Sequence, residues 1–189
     1  MKTFVEIGCA DFDTLIPLAK KGGWVGYCVE PIPKHADYLR DKTKDLPVSV
    51  CQLAISDHDG TATMKVGQSG DSEDRWAEGA SHICDSNHEG ARLLELPGNV
   101  NLGLVAGNIT VATERLDTFL NERGIDHIDY MKIDVEGHEL NILRSYDWSV
   151  KPQLLRVEHK HLSGDEMDRI LKRQGYTLHV EQDDISAIL

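Results

Sequence analysis

Two residues near the amino terminus have the types and spacing needed to hold a nucleoside. Gly8 closes a β-rich run from Thr3 to Ile7, and Glu30 closes a second run from Trp24 to Val29. In an α/β sheet, ligands settle at the carboxyl ends of the strands, near the point where strand order reverses. A glycine there lets backbone approach a ligand closely, because it has no Cβ. An acidic residue about 20 positions later accepts hydrogen bonds from the ribose hydroxyls. Glu30 follows Gly8 by 30 − 8 = 22 positions. The further glycines of a dinucleotide fingerprint are missing, since Ala10 and Phe12 follow instead. The turn thus lacks a pyrophosphate cradle, which disfavours a nicotinamide-dependent oxidoreductase and favours a ligand with a ribose but no phosphate. S-adenosylmethionine fits that description.

A second set of polar residues follows the fourth and fifth predicted strands: Asp134, Glu136, Glu158, His159 and His161. Methyl transfer from a sulfonium needs an in-line approach. A hydroxyl acceptor also needs a base for its proton. We expect Asp134 to position that hydroxyl, with Glu158 or His159 as proton acceptor. Neighbouring strand residues point to opposite faces, so Glu158 and His159 cannot both line one pocket unless the strand has ended. His159 has the better unperturbed pKa for a base near neutrality, whereas Glu158 needs burial to raise its own. Glu136 and Glu139 read as carboxylates at a helix start, where they stabilise the dipole. His159, His161 and Asp134 form a conceivable metal set, but the expectation is transfer without an obligatory metal. Lys132 lies within a strand and reads as the partner of a carboxylate.

These groups need a scaffold of alternating strands and helices. Phe12, Leu15, Ile16 and Ala19 recur at helical spacing, and Gly22-Gly23 ends that helix. Pro33 to about Lys44 is a polar helix with Ala36 and Leu39 inward, and Val48 to Ile55 reads as a third strand. Ala62, Met64 and Val66 alternate as a short extra strand. Residues 67–108 break the rhythm and read as an irregular, lid-like insertion. Arg75, Trp76, His82, His88 and Arg92 are its candidate specificity residues. Regularity returns at Ile109. A helix carries Leu116, Phe119 and Leu120, and further strands follow at Ile128 to Ile133 and Leu154 to Glu158, with a helix at Glu139 to Arg144 between them. Ser163-Gly-Asp-Glu166 is a capping box that opens a last helix. Tyr176 to Val180 and Ile185 to Leu189 must pair antiparallel, because so few residues join them. The pattern predicts an α/β fold with a mostly parallel seven-stranded sheet and an antiparallel C-terminal strand, in a single domain over residues 1–189.

Bulk properties agree. The 189 residues suffice for one buried core, and 40% hydrophobic with 28% charged residues is ordinary globular composition. Lys and Arg number 20 against 32 Asp and Glu, giving a formal charge of −12. An acidic chain without a basic run repels phosphate backbones, so nucleic acid is not the expected partner. No apolar run approaches the roughly 20 residues of a membrane span. The polar start lacks a secretory h-region, and a cytoplasmic location is expected. None of the four cysteines forms a C-x-x-C pair, which argues against a zinc ribbon and for reduced thiols.

Several segments occur in an order that resembles a known family: Phe4 to Thr14, Val29-Glu-Pro31, Leu53 to Gly60, Arg115 to Leu120, Tyr130 to Glu139 and Leu155 to His159. Together they are similar to the FkbM-type methyltransferases, with Lys132-Ile-Asp-Val-Glu-Gly137 the most specific element. The resemblance implies a Rossmann-like class I methyltransferase fold, S-adenosylmethionine as cofactor, and methyl transfer, commonly to oxygen. By position, Glu6 and Gly8 would line the methionine part of the cofactor. Glu30, with Pro31 beside it, would hold the ribose. Ala54, Ile55 and Asp57 would border the adenine, and Asp134 would face the cofactor's amino acid or the substrate. The family usually has Asn where Ala10 stands and a second glycine where Phe12 stands. Two readings follow: an O-methyltransferase of small-molecule or glycan hydroxyls, or a non-catalytic cofactor-binding domain that keeps the fold.

Overall fold

The computed structural model describes residues 1–10, 14–67, 81–84, 105–160 and 164–189. In chain order the first elements are β1 (Lys2–Ile7), α1 (Ile16–Lys20), β2 (Trp24–Val29), α2 (Pro33–Thr43), β3 (Val48–Cys51), β4 (Ala54–Ser56), β5 (Gly60–Gly67) and β6 (His82–Ile83). There follow β7 (Val105–Arg115), α3 (Leu116–Glu122), β8 (Tyr130–Ile133), α4 (Glu139–Ser145), β9 (Leu154–Glu158), α5 (Gly164–Arg173), β10 (Thr177–Val180) and β11 (Asp184–Ile188).

Seven strands form one sheet in the order β10-β11-β9-β8-β1-β2-β3. The pairs from β9 through β3 are parallel, and β11 is antiparallel to both of its neighbours. This is the α/β arrangement expected from the alternation of patterns, with the C-terminal strand reversed. The strand order reverses direction beside β1, so the loops after β1, β2 and β8 meet at the carboxyl edge.

One face of the sheet is apolar across its width. Val5, Ile7, Met131, Ile133, Leu155 and Val157 pack there against Leu116, Phe119 and Leu120 of α3, Leu140 and Leu143 of α4, and Met167 and Leu171 of α5. The i, i+3, i+4 spacing on α3 puts its three apolar side chains on one stripe. Each such fully buried side chain stabilises the fold by roughly 1.5–3 kcal/mol. The opposite face is apolar only under α1 and α2, around Phe4, Ile16, Cys28 and Leu39. Further along, it carries Tyr130, Lys132, Arg156 and Glu158, all half-buried. Strands β8, β9 and β11 thus alternate apolar and polar rather than reading as continuous hydrophobic runs.

Several boundaries differ from the sequence expectation. The run from Val48 to Ile55 is not one strand. Its ladder with β2 ends at Cys51, whose carbonyl accepts the Glu30 N–H at 3.0 Å. Ala54–Ser56 then pairs parallel with Thr113–Arg115, in a separate sheet of order β4-β7-β5-β6. That second sheet has its own small core of Ile32, Ala54, Met64, Ile83 and Val111. Residues 67–108 are not irregular throughout. Met64 pairs with Ile83, and β7 begins at Val105, before the expected Ile109. Phe12, Arg75, Trp76, His88, Arg92, His161 and the Ser163 cap lie outside the described residues. None of the four cysteines is in a disulfide. No helix among the described residues is long and apolar enough to cross a membrane.

Gly26 in β2 lies over the ring of Phe4, where a Cβ would fall 2.0 Å from Cζ. Phe4 is itself fully buried, so the ring has no solvent to retreat into. Overpacking of this kind costs about 1–3 kcal/mol. Gly26→Ala is expected to lower the urea midpoint by that amount, and adding Phe4→Leu to recover part of it.

Candidate functional site

The loops after β1, β2 and β8 are each fixed by a buried glutamate that accepts backbone N–H groups. Glu6, at the end of β1, is fully buried, and its Oε2 accepts the Leu15 N–H at 3.0 Å, where α1 begins. Glu30, at the end of β2, accepts Ala10 N–H on Oε2 at 2.7 Å and Ile32 N–H on Oε1 at 2.8 Å. Glu139, the first residue of α4, accepts Val135 N–H at 2.8 Å and Gly137 N–H at 3.0 Å. Carboxyl oxygens, each with lone pairs to spare, suit these turns, because donors outnumber acceptors where no ladder or helix continues.

The turn after β1 is tighter still. Gly8 has φ +80°, and a Cβ there would lie 1.7 Å from the Asp134 carbonyl oxygen. Its bareness lets β1 and β8 close on each other, with the Asp134 N–H donating to the Ile7 carbonyl at 3.0 Å. Ala10 also sits at positive φ, +45°. That is the conformation that Asn tolerates better than Ala, a physical reason for the Asn that the resembling family places here.

These loops line an open cleft at the carboxyl edge of the sheet. Its walls are largely apolar, from Ile7, Val29, Ile32, Leu53, Ala54, Ile55, Met64, Ile83 and Val135, with Gly8, Ala10, Glu30, Pro31, Ser81, Asp134 and Glu136 completing the lining. A mostly apolar cleft with a few fixed polar groups is the usual form of a small-molecule site. Of the predicted cofactor residues, Gly8, Glu30, Pro31, Ala54, Ile55 and Asp134 are brought together here. Glu6 stands behind the wall, committed to Leu15. Asp57 lies outside the lining, in an exposed turn, 2.7 Å from His58 Nδ1. The His58 contact holds its carboxyl below the usual range despite some burial. Of the segment's candidates, His82 is buried, but its neighbours Ser81 and Ile83 line the cleft instead, as strand alternation requires.

Asp134 and Glu136 stand at the rim, and Glu158, which is not part of the lining, has a carboxylate oxygen within 4.8 Å of theirs. That spacing suits one shared cation and sets the three groups close enough to oppose one another's ionisation. Lys132 Nζ lies 2.8 Å from Asp134 Oδ2, the carboxylate pairing expected of it. The strand ends at Glu158, so His159 turns away. Its N–H donates to the Asp183 carbonyl, and its ring meets the Glu181 carbonyl at 3.2 Å. Asp134 and His159 are therefore not brought together as a metal set.

Glu136 is not at a helix start. It sits three residues earlier at φ +56°, between the two N–H groups that Glu139 holds. Its rim position was legible only as an acidic residue beside a glycine. Burial first, then the charges of Glu158, Asp134 and Glu139, push its carboxyl up to about 8, against the pull of Lys160. Burial and then Asp134 raise Glu158 to about 7. Burial raises Glu139 to about 8, although its N–H bonds oppose the shift.

Comparison with known proteins bears on this arrangement. The profile of the Methyltransferase FkbM domain matches residues 6–178. The chain belongs to the FkbM methyltransferase family. A curated relative, the 2-O-methyltransferase NoeI of Sinorhizobium fredii, is 27% identical over 146 residues, 74% of this chain and 55% of that protein. The chain thus spans about half the length of the curated relative it matches. Among solved structures, the precorrin-6y C5,15-methyltransferase of Geobacter metallireducens aligns with TM-score 0.51 at 11% identity, covering 99% of this chain and 78% of its own. A SAM-dependent methyltransferase from Aquifex aeolicus aligns with TM-score 0.41 at 13% identity, covering 98% of this chain and 80% of its own. The Geobacter likeness is one of fold. With the strand order, it makes this FkbM-family chain a Rossmann-like methyltransferase fold.

Two expectations follow from the geometry. Gly8→Ala and Ala10→Gly should shift stability in opposite directions. The first forces β1 and β8 apart and should cost several kcal/mol, whereas the second relieves a strained φ and should gain about 0.4–1 kcal/mol. Chemical denaturation of both variants tests the pair. The second expectation concerns pH. Glu136, Glu139 and Glu158 hold their protons more tightly folded than unfolded, so between about pH 4.5 and 8 the folded chain binds more protons. Stability should then fall as pH rises through that window. Glu136→Gln should flatten the fall, read as urea midpoints at pH 5 and 8.5.

Proposed function

We propose that this chain transfers a methyl group from S-adenosylmethionine to a hydroxyl oxygen of a small molecule or sugar. The observation that carries the reading is Glu30, a buried carboxylate pinned at the wall of the cleft beside the Gly8 turn. An acceptor-only group held there suits the two hydroxyls of a ribose. The apolar wall of Ile32, Leu53, Ala54, Ile55 and Met64 suits an adenine ring, with Pro31 between it and Glu30. Gly8 and Asp134, at the other end of the lining, would take the methionine part. When bound, the cofactor would supply an electrophilic methyl group on sulfur.

Asp134 would orient the acceptor hydroxyl at the rim, with the carboxyls of Glu136 and Glu158 nearby. Transfer to oxygen accords with the 2-O-methyltransferase name of the relative. An acidic rim on an acidic chain suits uncharged acceptors better than phosphate-bearing ones.

Glu30→Gln should weaken S-adenosylmethionine binding ten- to a hundredfold by calorimetry, since a charge-assisted pair contributes about 1.5–3 kcal/mol. Glu30→Ala should also loosen the Ala10 and Ile32 turns. Labelled methyl transfer to hydroxylated metabolites, glycans and lipids, read by mass, tests the reaction. Tight binding without transfer to any of them would favour the non-catalytic reading, and unchanged affinity in Glu30→Gln would remove Glu30 from the site.

A further inference from the structure

We propose that Glu136 is the group that takes the proton from the acceptor hydroxyl, beside an Asp134 that orients it. The inference rests on the methyl-transfer reading above. It starts from placement. Asp134 and Glu136 both line the cleft, and Glu158 on β9, outside the lining, has a carboxylate oxygen within 4.8 Å of theirs. Glu136 is held there on purpose-built backbone. Its φ of +56° is one that a side chain rarely adopts, and Glu139 fixes the N–H groups on either side of it. The Oε2 atom of Glu158 is shut off from solvent and has no hydrogen-bond partner among the described residues. A buried carboxylate oxygen in that state carries a large desolvation cost unless a donor reaches it.

The groups that face Glu136 and Glu158 set their charge. Asp134 at the end of β8, Glu139 on α4 and Asp184 on β11 oppose ionisation, while Lys132 on β8 and Lys160 after β9 favour it. Lys132 Nζ lies 2.8 Å from Asp134 Oδ2, an ion pair that fixes that side chain beside Glu136. Asp134 is therefore suited to orient the hydroxyl, and Glu136 to receive its proton.

In the step, the acceptor's O–H bond breaks as its oxygen bonds to the methyl carbon. The carbon–sulfur bond of the sulfonium donor breaks with its electron pair left on sulfur, and the proton passes to Glu136. Charge balances: a sulfonium and a carboxylate become a neutral thioether and a neutral carboxyl.

Carbon-13 NMR of the glutamate side chains, on the full chain without ligand, tests the protonation of Glu136 directly. Two carboxyls should titrate near pH 8, those of Glu136 and Glu139, and the one that vanishes in Glu136→Gln should move down in Glu158→Gln. Titration of Glu136 in the ordinary carboxylate range, unmoved by Glu158→Gln, would overturn the assignment. Turnover supplies the second arm. In wild type kcat should rise through the same pH range. Glu136→Gln should lower kcat about 10²-fold or more and leave cofactor affinity within about twofold. Glu136→Asp should restore part of the rate with a shifted pH profile. Wild-type kcat in Glu136→Gln would overturn the assignment while leaving the methyltransferase reading intact. Loss of turnover with EDTA, restored by Mg²⁺, would overturn it in favour of a cation held by the rim. Absence of cofactor binding in wild type would instead bring down the reading on which the assignment rests, and the assignment with it.

Discussion

The closeness of β1 to β8 at Gly8 governs the rest of the site. The backbone of one strand end passes where a side chain of the other would stand, with a hypothetical Cβ only 1.7 Å from the Asp134 carbonyl. Because of that contact, Asp134 and the turn after β1 open onto the same space. Widen the gap by one methyl group, and the cleft loses its floor and the rim loses its register. The strand pairing that holds the contact is ordinary, Ile7 opposite Ile133. The last bond of that ladder runs from the Asp134 N–H to the Ile7 carbonyl, so the loop after β8 starts directly from the pairing.

Three glutamates then do for the loops what hydrogen-bond ladders do for strands. Glu6, Glu30 and Glu139 are all buried, and each accepts backbone N–H groups from a turn with no secondary structure to satisfy them. A carboxylate costs free energy to bury, and it is retained when it is well hydrogen-bonded. The arrangement makes the site stiff without making it apolar. His138 extends the network, its Nε2 lying 3.0 Å from Ser56 Oγ, so the loop after β8 is tied to the second sheet. The walls of the cleft thereby come from both sheets but answer to one polar framework.

Much of the main sheet was legible because its signals are local. The strand and helix periods, the helix end marked by Gly22-Gly23, and the short link before β11 each specify their own structure. Gly8 and Glu30 were legible as a pair because their spacing reflects one β-α-β unit. The second sheet was not, because Ala54–Ser56 looks like a continuation of Val48–Cys51, and only its partner Thr113–Arg115, far off in sequence, reveals the break. The neighbours of Glu158 were likewise set by a strand end that alternation alone cannot locate. Glu136 was misread as a helix-start carboxylate because the turn that lifts it off the helix depends on Glu139, and a buried acceptor leaves no periodic trace. Gly8 was read correctly as a close-approach residue, but what approaches it is β8 rather than a ligand alone.

The second sheet also carries a chemical handle. Cys84 follows β6 directly and is exposed, whereas Cys9 and Cys28 are buried and Cys51 is half-buried. Its N–H is anchored to the Thr63 carbonyl at 2.7 Å, one residue beyond Ile83 in the cleft wall. A maleimide dye should therefore couple there in preference to the other thiols, with no need for a cysteine-free background. Its backbone attachment is firm and its neighbour touches the cleft. The emission of such a dye becomes an optical gauge of what enters the cleft, readable on single molecules and without any chemistry taking place.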